Sequence, residues 1–258
     1  MEEMAAARQS HPPRAEGAGH APRDLRQWLR AVEAIGQLHR ITDEVDRNEE
    51  MGAITYLAHQ TIGAPALLFE NIKGSPRGHR ALWNPIGSSV DRFAIAIGEP
   101  AGLGVMELIQ RCKTKFSNPI PPVIVEAETA PVNENSLRDE KVDIRPFPAA
   151  RHWPRDGGEY IGTCDAIITR DPDGGWLNVG TYRQMVQGKS QVGLYLSPGK
   201  DARLHIERYW SRNEPCEVVC CWGIDPALFI AASQTFPKTV SELDFVGGMM
   251  GRPVELVK

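Results

Sequence analysis

Apolar side chains in the first half of the chain recur at helical and strand spacings in alternation. The clearest case is a helical period that begins after Asp24 and stops at Gly36, with apolar positions at Leu25, Trp28, Leu29, Val32 and Ile35. The same reasoning predicts strands at 38–45 and 66–74 and helices at 50–62, 91–97 and 105–116. These elements predict a chain of the α+β class with an N-terminal α/β domain.

From Tyr160 onward the apolar pattern changes to short β-segments, at 160–169, 176–185, 191–197 and 217–223. Residues 171–175, with the sequence DPDGG, predict a tight turn between the first two segments. Several short strands joined by tight turns favour a partly antiparallel barrel over a parallel doubly wound sheet. Helix starts are predicted at Asp201, at Asp225 followed by Pro226, and at Ser241 followed by Glu242.

Proline positions and local composition divide the chain into regions. Prolines at 119, 121 and 122 suit an extended connection, so we place a domain boundary near residues 118–122. Residues 1–22 carry few large apolar side chains, so burial would not offset the entropy lost on ordering them. We therefore predict a disordered arm at 1–22, an N-terminal α+β domain at 23–120 and a β-rich domain at 121–258.

The composition narrows the class of partner. The 258 residues carry a net charge of -4 with a pI near 6.0, which offers no broad basic face to nucleic acid or to an anionic membrane. No apolar stretch is long enough for a membrane span, and the first residues lack a secretion-signal pattern. Five cysteines without a paired CxxC predict small buried side chains rather than disulfides or a metal site. We expect a cytoplasmic protein.

Candidate chemistry is densest at 176–185, where Asn178 and Arg183 interrupt a strand-like run. Asparagine offers a hard amide oxygen, and arginine offers a planar set of donors for phosphate or carboxylate. By itself this pattern is more typical of a strand whose polar face meets water. Neither GxGxxG nor GxxxxGK[ST] occurs, so the usual dinucleotide and nucleoside-triphosphate sites are not predicted.

Four segments, taken in order, change this interpretation. They are DGGEYI at 156–161, DGGWLNVGTYRQM at 173–185, LSPGKDARLH at 196–205 and VSELDFVGGMMGRPVELV at 240–257. Together they resemble the UbiD family of decarboxylases, and the resemblance runs from about Asp24 to the last residue. It implies prenylated FMN bound on a split β-barrel, with manganese or magnesium and potassium at the flavin phosphate.

The resemblance also implies a reaction. It is the reversible, non-oxidative decarboxylation of a small aromatic or α,β-unsaturated carboxylic acid, with a flavin prenyltransferase as supplier of the cofactor. Two other classes stay open. One is a non-catalytic subunit of a multi-component carboxylase, and the other is an ordinary FMN-binding split-barrel reductase.

Individual residues receive roles from the same resemblance. It implies that Arg183 is catalytic and holds the substrate carboxylate, and that the metal ligands are Asn178, Asp201 and Glu242. Many relatives have histidine where this chain has Asp201; aspartate also binds hard cations, or here it serves only as a helix N-cap. The implied cofactor contacts are Gly180, Thr181, Tyr182, Arg183 and Lys200, and the implied potassium ligands are Ala231, Ala232 and Gln234.

Several other conspicuous residues are interpreted as structural. We expect His205 to be a surface residue of its helix rather than a replacement metal ligand, and His152 to be a loop residue beside the approach to the site. The tryptophans at 153, 210 and 222 are expected to be packing aromatics. Glu255, in an ending strand, is expected at an edge or on the surface.

The resemblance places further parts of the family's enzymes after Lys258. Its proton-donating glutamates follow the position of Glu242 by some tens of residues, and a C-terminal α/β domain that mediates oligomerisation follows them. We therefore expect that this domain is absent here and that the chain alone has little activity. The full-length protein is expected to be a homo-oligomer.

Overall fold

A computed structural model describes residues 21–257. Within this range the α-helices are Leu25–Ala34 (α1), Glu50–His59 (α2), Val90–Ala96 (α3), Val105–Phe116 (α4), Asp201–Ser211 (α5), Pro226–Ala232 (α6) and Glu242–Met250 (α7). Short 3-10 helices lie at Ala127–Thr129, Pro131–Asn133 and Asp139–Lys141. Helices and strands together confirm the predicted α+β class.

The strands are Leu38–Ile41 (β1), Ala66–Phe69 (β2), Ala81–Trp83 (β3), Val123–Ile124 (β4), Tyr160–Gly162 (β5), Ala166–Arg170 (β6), Leu177–Gly180 (β7), Gln184–Gly188 (β8), Gln191–Leu194 (β9), Val218–Cys221 (β10) and Glu255–Leu256 (β11). They form sheets in the orders β1-β2-β3, β10-β6-β7, β5-β8-β9 and β11-β4. In the part of the chain described, these sheets stay separate and no closed barrel forms.

Helix α1 begins where the sequence predicted. The Asp24 carboxylate accepts a hydrogen bond from the main-chain N–H of Gln27 at 2.7 Å, which caps the helix. Trp28 is fully buried, and its indole N–H donates to the carbonyl of Arg92 at 3.3 Å. This bond joins α1 to α3 and fixes the N-terminal helices against one another.

The largest hydrophobic cluster crosses the predicted domain boundary. It combines Trp28, Leu68 and Ile97 from before residue 120 with Ile230 and Met249 from α6 and α7. A second, smaller cluster lies beneath β2 and α2. The main core therefore packs residues from both predicted domains together. The division into domains at 23–120 and 121–258 stays a prediction.

The predicted arm falls mostly outside the described residues, which begin at residue 21. Its last two residues are packed rather than disordered. Ala21 is buried in the main cluster beside Gly98, and the Pro22 carbonyl accepts a hydrogen bond from Arg252 Nη2 at 2.8 Å. The prediction of disorder is therefore wrong for residues 21 and 22.

Two predicted β-segments each divide into two strands. Segment 160–169 contains β5 and β6, and segment 176–185 contains β7 and β8. In each case the chain leaves one three-stranded sheet and enters the other, through residues 163–165 and 181–183. The DPDGG turn at 171–175 does connect antiparallel strands, β6 and β7, as predicted.

Candidate metal and cofactor site

Strand β7 lies at the free edge of its sheet, and two acceptors from the helical region cover that edge. The N–H of Val179 donates to Glu242 Oε2 at 2.8 Å. Two residues further on, the N–H of Thr181 donates to the carbonyl of Ala232 at 3.2 Å. Main-chain N–H groups two residues apart in a strand point to the same side, so both hydrogen bonds lie along the free edge of the sheet. The start of α7 and the end of α6 are thereby held against the strand that carries Asn178.

Glu242 is a buried carboxylate at the first position of α7. Only 5% of the residue is exposed, and the preceding Ser241 caps the helix by accepting from the N–H of Leu243 at 3.3 Å. Burial raises the pKa of Glu242, the hydrogen bond from Val179 lowers it, and the nearby Asp201 raises it further. No ion pair to Glu242 exists within residues 21–257, so this carboxylate lacks a protein cation.

Asn178 lies on β7 opposite Thr169 and is only 3% exposed. Its side-chain Nδ2 is buried without a hydrogen-bond partner. Nδ2 is a donor, so only an acceptor such as a phosphate oxygen would satisfy it, whereas a cation would be bound by Oδ1. Asn178 and Glu242 are adjacent through Val179, whose main chain carries the bond to the glutamate.

Tyr182 packs over Gly180 and completes one side of this group. A Cβ added to Gly180 would lie 2.6–2.8 Å from the ring and hydroxyl of Tyr182, so glycine is required for the ring to lie there. Burial raises the pKa of the Tyr182 hydroxyl, while the approach of Asn178 and of the Ala202 N–H lowers it; Asp201 and Glu242 raise it. The Tyr182 hydroxyl therefore lies near Asn178 and Ala202, with the carboxylates of Asp201 and Glu242 in the same region.

Asp201 is not the N-cap of α5. The cap residue is Lys200, which makes no side-chain capping bond, and Asp201 is the first helical residue. The suggestion that Asp201 serves only as a cap is therefore wrong. A carboxylate in the first turn still complements the helix dipole. Lys200 itself is exposed at the start of this helix.

Arg183 lies against a different set of residues. Its guanidinium carbon is 4.6 Å from the ring centroid of Tyr160, and its carbonyl accepts from the N–H of Tyr195 at 3.2 Å. Burial lowers the pKa of His152, Asp156 raises it, and Arg183 lowers it further, so the guanidinium is also close to His152. Among the described residues, Arg183 has no hydrogen bond or ion pair with Asn178 or Glu242.

His205 is buried, which corrects the prediction of a surface position. It is 1% exposed, its Nδ1 is 3.0 Å from Thr169 Oγ1, and its ring packs edge-on against Trp176 with centroids 4.9 Å apart. Burial lowers the pKa of His205. No group of three His, Cys, Asp or Glu side chains able to hold a metal occurs within residues 21–257. That His205 is not a replacement metal ligand stays a prediction.

Other structural expectations have mixed outcomes. Trp153 and Trp210 are 49% and 59% exposed, so they are not core aromatics; Trp153 contacts Tyr56 edge-on and Trp210 lies under Arg203. The five cysteines are free but half-buried rather than buried. Glu255 is exposed on β11, as predicted.

A buried acidic residue near the site escaped the sequence analysis. Asp165 is fully buried and accepts hydrogen bonds from the N–H of Tyr182 at 3.2 Å and from Gln184 Nε2 at 2.8 Å. The available signal was an aspartate directly before an apolar run, in TCDAIIT. A solvent-facing position at the start of a strand gives the same pattern, so the sequence does not distinguish the two.

Comparison with known proteins identifies the family. Residues 123–258 match the model of the 3-octaprenyl-4-hydroxybenzoate carboxy-lyase Rift-related domain, and residues 29–112 match the N-terminal domain model of the same enzymes. The chain belongs to the UbiD family. It is 31% identical over 242 residues to pyrrole-2-carboxylic acid decarboxylase from Pseudomonas aeruginosa, covering 91% of this chain and 48% of that protein.

Ferulic acid decarboxylase 1 from Saccharomyces cerevisiae is 30% identical over 248 residues, again covering 91% of this chain and 48% of the relative. The chain spans about half the length of the curated relatives it matches. None of the helices in residues 21–257 has the length and apolarity that a membrane-spanning segment requires.

Solved structures show the same similarity in three dimensions. The closed form of vanillic acid decarboxylase from Sedimentibacter hydroxybenzoicus superposes with a TM-score of 0.86 at 29% identity, covering 93% of this chain and 51% of that one. An evolved dimeric form of HmfF from Pelotomaculum thermopropionicum, in complex with prenylated FMN, gives a TM-score of 0.81 at 30% identity over 92% of this chain and 53% of that one.

Proposed function

We propose that this chain forms the cofactor-binding part of a carboxy-lyase that removes carbon dioxide from small aromatic or unsaturated carboxylic acids with prenylated FMN. The similar proteins include decarboxylases of pyrrole-2-carboxylic, ferulic and vanillic acid, and a UbiD-class structure that holds the prenylated flavin. The observation that carries the proposal is the carboxylate of Glu242, which is buried, has no ion pair within residues 21–257 and accepts a hydrogen bond from the strand residue next to Asn178.

The residues present fit a divalent cation. Asn178, Asp201 and Glu242 would supply one amide oxygen and carboxylate oxygens, which are the ligands that manganese and magnesium prefer. Asp201 raises the pKa of Glu242, so the two acids lie in the same region of the fold, which supports a shared ion. Such an ion would bring positive charge to the buried carboxylate of Glu242, which has no protein cation of its own.

Potassium is the third cofactor of the proposal. Its ligands would be oxygens of Ala231, Ala232 and Gln234, at the end of α6. The Ala232 carbonyl accepts one hydrogen bond from Thr181, and a carbonyl oxygen retains a second lone pair for a cation. This arrangement would couple the monovalent site directly to the strand that carries Asn178.

The flavin phosphate would lie beside Gly180, Thr181 and Tyr182, with Lys200 facing it. The N–H groups of Thr181 and Tyr182 are already bonded to Ala232 and Asp165, so the phosphate donors we assign are the Thr181 hydroxyl and the Lys200 ammonium. When bound, prenylated FMN supplies the electron sink that decarboxylation requires.

Arg183 would hold the acid. A guanidinium binds a carboxylate through two parallel hydrogen bonds, which both neutralises and orients it until it leaves as carbon dioxide. The position of Arg183 over Tyr160 and beside His152 puts aromatic surface next to this cation, which suits an aromatic acid. The two three-stranded sheets would together form the split β-barrel, with the domain boundary near residue 120.

The proposal extends to the protein's surroundings. A flavin prenyltransferase would supply the cofactor, the full-length protein would be a homo-oligomer, and the reaction would take place in the cytoplasm. The family membership shared with decarboxylases supports these statements.

The test is cofactor binding by the chain itself. We expect FMN or prenylated FMN, titrated with manganese and potassium present, to bind with quenching of flavin fluorescence, and Asn178→Ala to weaken this binding. Lys238→Ala serves as the control, because Lys238 lies on the loop between α6 and α7 and carries no assigned role. Flavin-dependent oxidation of NAD(P)H would instead favour the reductase and contradict the proposal. Equal flavin affinity of the wild type and Asn178→Ala would remove its structural basis.

A further inference from the structure

Two connections carry the chain between the three-stranded sheets, and they lie side by side. Residues 163–165 lead from β5 into β6, and residues 181–183 lead from β7 into β8. Asp165 closes the first connection and Arg183 closes the second. The position of the second connection therefore decides where the Arg183 side chain is presented.

The Asp165 carboxylate bonds to both neighbours of Arg183. Oδ1 accepts from the N–H of Tyr182 at 3.2 Å, and Oδ2 accepts from Gln184 Nε2 at 2.8 Å. Asp165 and Gln184 are both fully buried, so water does not compete for these bonds. Because Tyr182 and Gln184 point inward, Arg183 between them points outward, where it lies over Tyr160.

This carboxylate is buried without an ion pair in the described part of the chain. Burial raises its pKa, and the bonds from Gln184 and Tyr182 lower it. A buried carboxylate destabilises a fold unless its hydrogen bonds are made, and an apolar residue of similar size would avoid that cost. The bonds that Asp165 makes are therefore the physical reason for an acid at this position.

Gly162 leaves the space that the carboxylate occupies. A Cβ on Gly162 would lie 2.4 Å from Asp165 Oδ2 and 2.7 Å from Gln184 Nε2, closer than atoms approach in real structures. Gly162 is paired with Gln184 between β5 and β8. Three residues from different segments thus meet at one point directly behind Arg183.

We propose that Asp165 is a positioning residue: its buried carboxylate fixes the connection at 181–183 and thereby holds the Arg183 guanidinium over Tyr160. The consequence for substrate binding rests on the proposed function, in which Arg183 receives the acid. The positioning itself does not depend on that function and is measured separately.

The experiment follows the Arg183 side chain by NMR in the 258-residue protein labelled with 15N-arginine, with the signal assigned through Arg183→Lys. A guanidinium over an aromatic ring has its Nε–H proton shifted upfield by the ring current. We expect Asp165→Ala to abolish this upfield shift and Asp165→Asn to retain it. Asparagine can accept from Tyr182 through Oδ1 and donate to a rotated Gln184 amide, so it preserves the connection without the charge.

Asp225→Ala is the matched control, because it removes another buried carboxylate that contacts neither connection. It is expected to leave the Arg183 signal in place. If Asp165→Ala does not fold, Gln184→Met removes one of the carboxylate's two partners and is expected to move the signal part of the way. The proposal is overturned if the Arg183 signal is unchanged in folded Asp165→Ala. If Asp165→Ala does not fold, an unchanged signal in Gln184→Met overturns it instead. An equal shift of the signal in Asp225→Ala would also overturn it.

Vanillate added to the flavin-loaded wild type and Asp165→Ala proteins separates the two claims. We expect vanillate to shift the Arg183 signal of the wild type and to bind about ten-fold more weakly to the variant, the size expected for one misplaced charged hydrogen bond. If vanillate does not shift the Arg183 signal of the wild type, only the proposed function is contradicted. The response to Asp165→Ala decides the positioning role in either case.

Discussion

Asp225 gives the sharpest prediction of how stability depends on pH. It caps α6, with Oδ1 accepting from the N–H of Ala227 at 2.7 Å, while Oδ2 is buried without a partner. Burial raises the pKa of Asp225 from 3.8 to about 6, against smaller lowering effects that include Arg252. The folded protein thus binds this proton more tightly than the unfolded chain does.

This difference in proton binding determines how the stability of the protein changes with pH. The contribution of Asp225 to stability is greatest below the unfolded pKa near 3.8 and is lost as the pH rises through about 6. A difference of roughly two pKa units corresponds to about 3 kcal/mol between pH 3 and pH 8. Asp225→Asn keeps the capping oxygen and removes the charge.

The assay is urea unfolding of the wild type and Asp225→Asn from pH 4 to pH 8. We expect the two free energies of unfolding to lie close together at pH 4 and the variant to gain up to about 3 kcal/mol over the wild type by pH 8. Asp24→Asn measures what the same exchange costs at another helix N-cap. A wild-type-minus-variant difference that is constant with pH would refute the reasoning.

Two further predictions concern packing. Thr169→Val removes the hydroxyl that partners buried His205, so we expect a loss of about 1–3 kcal/mol in urea unfolding, and no loss would contradict this. Gly247→Ala would place a Cβ 2.2 Å from the carbonyl oxygen of Ile120, and we expect a loss of about 1–3 kcal/mol in the same assay. Gly174→Ala, where a Cβ meets nothing within 4 Å and φ is not positive, is the control that should leave stability nearly unchanged, and an equal loss in both variants would contradict the steric argument.

Local signals predicted local structure well. Helix α4 begins and ends at the predicted residues, and Asp225 caps α6 with Pro226 in the first turn. These features depend on hydrogen bonds and periodicity within a few residues, which the sequence displays directly. The DPDGG turn was likewise predicted from a signal within a few residues.

Features that depend on distant partners were not predictable in this way. His205 looked like a surface residue because its partner Thr169 lies 36 positions earlier. The strands β5 and β6 read as one segment because the change of sheet at 163–165 has no proline to mark it. The short strand β3, only Ala81–Trp83, gives too few residues for a period to be recognised.

The arrangement of the candidate site also depends on residues that are distant in sequence. The resemblance selected Asn178, Asp201 and Glu242; Glu242 is bonded to the edge of β7 next to Asn178, and Asp201 raises the pKa of Glu242, while their role as a ligand set stays a prediction. It also selected Arg183, whose side chain faces Tyr160 on the other sheet. The direction of the Arg183 side chain follows from strand alternation and from the connection at 181–183, neither of which a linear motif encodes.

Manganese binding to the 258-residue protein, followed by electron paramagnetic resonance of the free ion, tests the central claim most directly. Glu242→Gln retains an oxygen that can accept from Val179 while removing the buried charge, and Glu255→Gln changes an exposed acid on β11 as the control. The account predicts saturable binding that Glu242→Gln weakens at least about ten-fold and Glu255→Gln leaves unchanged. Equal manganese affinity in the wild type and Glu242→Gln would contradict it.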